Sequence, residues 1–292
     1  MRRYYSLLFL LLSALLPAGC AAPAEPVSTP LPAQTPLEAP VEAEIFAVST
    51  ESCSAEPLPS EAPTEIPTDA PTDTPAPTPD PYRAEHVTGS KTNAAFWYGE
   101  PTEALRARIT GTSFPEDPKD CPVSPEDLRY VHLLYVDFDG AEHEGELLVH
   151  KAVADEVLEI FEALYDARYP LRSVRLVDDF GEPFNDDRSM AADNTSAFCC
   201  RRVTGSKKFS RHSYGAAIDV NPLENPYIRP DGSFAPPESE PYLDRSDLRP
   251  GMITEDDLCY RLFTAHGWSW GGHFKGEKDY QHFSKTIKGV TP

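Results

Sequence analysis

The sequence predicts an α+β domain, a small and mainly antiparallel sheet flanked by helices, carried behind a long unstructured lead. Three observations predict it. Of 31 prolines in the 292-residue chain, 15 fall between Ala21 and Pro81, together with eleven Asp or Glu and no Lys, Arg or Gly. Such a segment cannot bury enough apolar surface to offset its chain entropy. That leaves residues 83–292 for one domain, long enough for a real core. Within it, β-branched and aromatic runs alternate with helical spacings, a hairpin is legible at 130–150, and no regular strand-helix-strand series appears.

The first twenty residues read as an address. Met1-Arg2-Arg3 is a short basic start, and Leu7 to Leu16 is apolar apart from Ser13. Ten residues are too few to span a bilayer and suit a signal-peptide core. The run closes on Pro17-Ala18-Gly19-Cys20, which resembles the lipobox of bacterial lipoproteins, where two small residues precede a Cys that is lipidated. The resemblance implies lipid on Cys20, an anchor in the cell membrane and an extracytoplasmic protein. Residues 21–82 then read as a tether. Units such as Pro67-Thr68-Asp69 and Pro71-Thr72-Asp73 bias the chain to polyproline II, with a reach of up to roughly 190 Å.

In the domain, Tyr130–Val136 and Gly145–His150 are strand candidates joined by a longish loop from Asp137. Val153, Val157, Ile160, Phe161, Leu164 and Tyr165 recur at helical spacing over 152–168, and Pro170 stops that helix. Ser173–Val177 and Ala216–Val220 are further strands. Thr254-Glu255-Asp256-Asp257 reads as a capping box opening a helix over Leu258, Leu262 and Phe263, closed by Gly267. Tyr280–Phe283 is the last strand.

Charge narrows the function. The net charge is −21, and acids outnumber bases in the domain as well as in the tether. Phosphate neutralisation needs clustered Lys and Arg, so no nucleic-acid partner is expected, and no electrostatic attraction to anionic lipid. Of the eight histidines, His86, His132, His143 and His150 lack useful ligand companions. His266 suits a helix C-terminus.

His212 and His282 differ. In Ser210-Arg211-His212-Ser213-Tyr214-Gly215-Ala216-Ala217-Ile218-Asp219, the small residues lead into a buried strand, where an Asp is costly unless paired or metal-bound. Two imidazoles and one carboxylate from His212, His282 and Asp219 would leave one tetrahedral position open, the pattern of a catalytic zinc site, though other divalent ions suit such a set. Asp279 lies three residues before His282, and three residues along a flat strand point to opposite faces. Both reach one site only if the strand bends or starts between them; Asp279 is then a candidate general base toward a metal-activated water.

The block Ser210-x-His212-x6-Asp219, followed by Asp279-x-x-His282, resembles the zinc peptidases of bacterial cell walls. These are the VanY-like D-alanyl-D-alanine carboxypeptidases, the VanX-type dipeptidases and the L-alanyl-D-glutamate peptidases, which share the Hedgehog/DD-peptidase fold. Asn194-Thr195-Ser196-Ala197-Phe198 ahead of Arg201, Asp219-Val220-Asn221-Pro222 with Asn225-Pro226-Tyr227, and Trp268-x-Trp270-Gly271-Gly272 match too. The likeness covers roughly 125–288. It implies His212, Asp219 and His282 as ligands of Zn2+ and Asp279 as base. It also implies Arg201 polarising the scissile carbonyl or steadying its oxyanion, and Ser210 bonding substrate backbone. The substrate implied is a peptidoglycan stem peptide. The leading expectation is a carboxypeptidase; an L-alanyl-D-glutamate endopeptidase and a non-catalytic wall-binding domain are the alternatives, and a monomer is expected. Two positions depart from the pattern: His273-Phe274 after the paired glycines, with His273 expected at the rim, and Cys199-Cys200. A disulfide from Cys199 or Cys200 to Cys259 or Cys121 is compatible with an oxidising compartment, and the sequence does not choose.

Overall fold

A computed structural model of the chain describes residues 80–181 and 186–292. The expected signal segment, Cys20 and nearly all of the tether lie outside the described residues. The described part is α+β, as expected, but its strands form several small sheets rather than one.

The largest sheet has four antiparallel strands in chain order: β1 (Val87–Gly89), β2 (Trp97–Gly99), β3 (Leu128–Val136) and β4 (Glu142–His150). Helix α1 (Glu103–Ile109) follows β2, with the Thr102 side chain accepting from the Leu105 amide. The β3–β4 hairpin runs in unbroken register from Leu128 opposite His150 to Val136 opposite Glu142. Its loop is only residues 137–141, shorter than expected. Asp137 Oδ1 accepts from the amides of Asp139 (2.9 Å) and Ala141 (2.8 Å), which closes the turn tightly and extends β4 into the polar run Glu142-His143-Glu144. Helix α2 (Ala154–Asp166) lies across β3 and buries Val157, Leu158, Ile160, Phe161 and Leu164, the stripe that its spacing marks out.

The expected strand at 173–177 stops early. β5 (Ser173–Val174) pairs in parallel with β6 (Asn194–Thr195), and helix α3 (Asp186–Ala191) precedes β6. The Asn194 amide then takes over the ladder, accepting from the Arg175 amide at 2.9 Å and donating to its carbonyl at 2.9 Å. With those bonds made by a side chain, the backbone leaves as a 3₁₀ turn at Val177–Phe180.

The second half carries two three-stranded sheets. One contains β7 (Ala217–Asp219), β10 (Ser269–Trp270) and β12 (His282–Ser284), with β12 in the middle. The other contains β8 (Tyr227–Ile228), β9 (Phe234–Ala235) and β11 (Lys278–Asp279), with β8 in the middle. Helix α4 (Leu258–Ala265) packs on α2, where Phe161 meets Phe263 edge to face at 6.4 Å. Its cap is Asp257, which accepts from the Cys259 amide at 2.8 Å, and not Thr254; the short carboxylate immediately before the first turn outcompetes the more distant hydroxyl. Gly267 (φ +80°) ends the helix as expected.

The main core joins α2, α4, β3, β4, β7 and β12 through Val131, Val149, Ile160, Ile218, Phe263 and Phe283. Phe263 and Phe283 stack at 4.2 Å, so the strand that carries His282 is seated on the helix pair. Cys121, Cys199, Cys200 and Cys259 are all free thiols here.

Candidate metal and catalytic site

His212 sits in a 3₁₀ turn, Arg211–Tyr214, entered through Ser210. The Ser210 hydroxyl accepts from the His212 amide at 3.3 Å, so its observed contact is a local cap. Gly215 (φ +61°) turns the chain into β7, and any Cβ there would collide with the backbone of Val149 and His150. Its carbonyl accepts from the His150 amide at 2.9 Å. The turn is thereby pinned to the end of β4, and only glycine fits the gap.

Asp219 ends β7, and His282 begins β12 directly opposite it in the antiparallel register. His212 comes in from the turn. Its Nε2 stands 3.2 Å from Asp219 Oδ2 and 3.3 Å from His282 Nδ1, and His282 Nδ1 stands 2.9 Å from Asp219 Oδ1. All three are nearly buried, at 4, 8 and 9% exposure for His212, Asp219 and His282. The His212 Nδ1–H donates to the Ala197 carbonyl at 2.6 Å, which turns the Nε2 lone pair inward. Burial works against charge on His282, but the Asp219 carboxylate outweighs it and raises the imidazole above its ordinary value. Burial likewise opposes ionisation of Asp219, yet the two imidazoles hold it far below the usual carboxylate range. These are the only three His, Cys, Asp or Glu side chains among the described residues whose ligand atoms converge closely enough for one ion. Two nitrogens and one oxygen, from the paired strands β7 and β12 and from the turn that leads into β7, are a donor set that suits zinc.

The strand is interrupted between Asp279 and His282, as their shared placement requires. Asp279 belongs to β11, opposite Tyr227, whereas His282 belongs to β12 in the other sheet. The Trp270 indole fixes the break by donating to the Tyr280 carbonyl at 2.7 Å. Gly271 passes so close to Asp279 that a Cβ would lie 2.9 Å from the Asp279 Cβ, which explains the first glycine of the Trp-Gly-Gly run. Asp279 Oδ1 has essentially no solvent contact and no hydrogen-bond partner. Burial pushes this carboxyl up to about 6, with the Asp219 charge adding to the rise and His282 and His212 opposing it.

Arg201 is held by its backbone: its amide donates to Ser213 Oγ at 2.9 Å, and its carbonyl accepts from the Ser210 amide at 3.0 Å. Its guanidinium pairs with Asp186 of α3. Burial opposes the charge, and Asp186, Cys199 and Asp219 more than restore it. Arg202 points elsewhere, stacking over Phe209 at 4.4 Å and donating to the Lys207 carbonyl. His273 is exposed, with Nε2 3.1 Å from Glu255 Oε1 and its ring edge-on to Tyr260 and Trp270. Of the remaining histidines, His132 stacks on Trp97 at 5.1 Å, His143 pairs with Asp137 at 2.7 Å, and His150 accepts from the Ala152 amide at 3.1 Å.

Sequence reasoning missed Asp186, which balances Arg201, and the close approach of Gly271 to Asp279. The acidic pair Asp186-Asp187 shortly before the Asn194 block was the available signal, but it reads equally as an ordinary helix start.

Residues 204–285 match the family described as D-alanyl-D-alanine carboxypeptidase, in keeping with the VanY-like resemblance. The match spans His212, Asp219, Asp279 and His282 and stops short of Arg201 and the Asn194 block. No curated protein and no solved structure matches the chain.

Proposed function

We propose that this chain, a peptidase of the VanY-like D-alanyl-D-alanine carboxypeptidase type, is a zinc enzyme that trims peptidoglycan stem peptides at the cell surface. The observation that carries the reading is the convergence of His212, Asp219 and His282 beside the buried Asp279 carboxyl, whose Oδ1 has no hydrogen-bond partner. His212, Asp219 and His282 would hold the zinc. When bound, the ion supplies Lewis acidity and brings the pKa of water to about 7.

The chain's own groups supply the rest. Asp279, with one oxygen committed to no donor, accepts the proton of the attacking water and returns it to the leaving amine. Burial raises this carboxyl above the ordinary carboxylate range in the metal-free protein, which makes it a stronger proton acceptor than an exposed Asp. Arg201 supplies a fixed positive charge for the carbonyl oxygen as negative charge develops there. Asp186 holds the guanidinium until substrate arrives. The Ser210 hydroxyl, which accepts from the His212 amide, keeps its own O–H to donate to substrate backbone.

The surface placement rests on Cys20 and the Pro-rich segment behind it. A lipid on Cys20 and a tether of roughly 60 residues would let the domain sample the wall near the membrane. The test is incubation of the zinc-loaded protein with muropeptides, followed by mass analysis. Release of terminal D-Ala is expected. Cleavage between L-Ala and D-Glu would reassign the bond, and zinc-loaded protein that releases neither product would overturn the reading.

A further inference from the structure

Two thiols that the proposed chemistry does not use are brought together from positions far apart in the sequence. Cys121 follows the 3₁₀ turn Pro118–Asp120, and Cys200 immediately precedes Arg201. The Cys200 thiol donates to the carbonyl of Asp120, the residue before Cys121, at 3.8 Å. The Cys121 thiol donates to the carbonyl of Ser213 at 3.7 Å. Ser213 Oγ in turn accepts from the Arg201 amide and lies 3.2 Å from the Cys199 carbonyl, so each sulfur is placed on backbone that touches the other's neighbour. The Cys200 amide donates to the Ser113 carbonyl at 2.8 Å, which ties the same two segments a second time. Once Cys121 is a thiolate the Cys200 S–H can donate to it instead, which lowers the Cys121 thiol and raises that of Cys200, and both side chains pack against the cluster of Phe114, Val123 and Phe198. Both are half-buried, whereas Cys199 and Cys259 are fully buried and their thiols pushed up by burial.

We propose that Cys121 and Cys200 are a disulfide-forming pair whose closure fastens the Arg201 segment to the 111–121 loop. The oxidant is a disulfide, on a dithiol oxidase or a small molecule. One protein thiolate attacks it, and the resulting mixed disulfide is displaced by the second thiolate. The two protein thiols thus lose two protons and two electrons, and the oxidant leaves as its two thiols. Cys121 is the first attacker, because the hydrogen bond from Cys200 favours its thiolate. The bond would close the stretch 122–199, which holds β3, β4 and α2. A closed loop of that length restrains the unfolded chain strongly.

The test uses the full chain equilibrated with oxidised glutathione, alkylated, digested and mapped by mass. A Cys121–Cys200 cross-link is expected, with Cys199 and Cys259 alkylated only after unfolding. Reduction by a phosphine should lower Tm by roughly 5–15 °C, and Cys121→Ser and Cys200→Ser should lose that response. Full alkylation of Cys121 and Cys200 after oxidation would overturn the proposal. So would a cross-link through Cys53, Cys199 or Cys259. The wild-type map decides the matter even if a serine variant folds poorly.

Discussion

Replacing Asp279 by Asn separates proton transfer from metal binding, and it should move activity and stability in opposite directions. The amide keeps the size and polarity of the carboxyl but cannot accept a proton from water. Loss of a general base costs about 10²–10⁴ in rate, or about 3–5 kcal/mol of barrier. His212, Asp219 and His282 are untouched, so zinc content should be unchanged. Stability should rise in the metal-free protein. A carboxyl raised from the usual range to about 6 is easier to bury protonated than ionised. Its contribution to stability is therefore present in acid and lost as pH climbs through about 6, at a cost near pH 8 on the order of 2–3 kcal/mol. Asn removes that cost. For a domain of this size the gain is roughly 5–10 °C in Tm. Stopped muropeptide assays, elemental analysis and thermal melts of the apoprotein at pH 5 and pH 8 read the three quantities. Full activity in the variant would move the base to another group, with His273 the first to examine. Lost zinc would make Asp279 a ligand. An apoprotein less stable than wild type at pH 8 would refute the burial argument.

Four further outcomes follow from the same geometry. His212→Ala should bring zinc from about one per chain to near zero by elemental analysis; equal metal in variant and wild type would break the ligand assignment. Arg201→Ala should slow turnover by about 10²–10³-fold with zinc retained, measured as kcat on the same muropeptide. Glu224 is 1% exposed, and burial, reinforced by Asp193, raises its carboxyl to about 8; Asp193 is raised by burial too, so the pair keeps a proton at neutral pH. Wild-type Tm should fall by several degrees as pH rises from 6 to 9, and Glu224→Gln should flatten that fall, whereas a flat wild-type profile would contradict the shared proton. Cys20→Ser should move the protein from the membrane fraction to the soluble one; a variant that stays with the membrane would rule out the lipid anchor.

The local sequence determined much of this molecule. The hydrophobic spacing of 152–168 sufficed for α2, because an amphipathic stripe facing a sheet has one way to bury itself. The hairpin was legible from its two β-branched runs, although its length was not, since the turn depends on where the Asp137 carboxylate points. His212, Asp219, Asp279 and His282 were identifiable from residue type and spacing, because a carboxylate on a buried strand and histidines near glycine-rich turns need an unusual compensation. The tertiary structure alone decided how they meet. Whether Asp279 and His282 face one site depends on a strand break, set by Trp270 and Gly271 packing on it from another part of the chain. The partner of Arg201 comes from α3, and the contact between Cys121 and Cys200 joins segments that local sequence patterns do not relate. Local patterns encode periodicity and the chemistry of single side chains. Pairings across distant segments depend on how the whole core closes, and no short stretch of sequence carries that information.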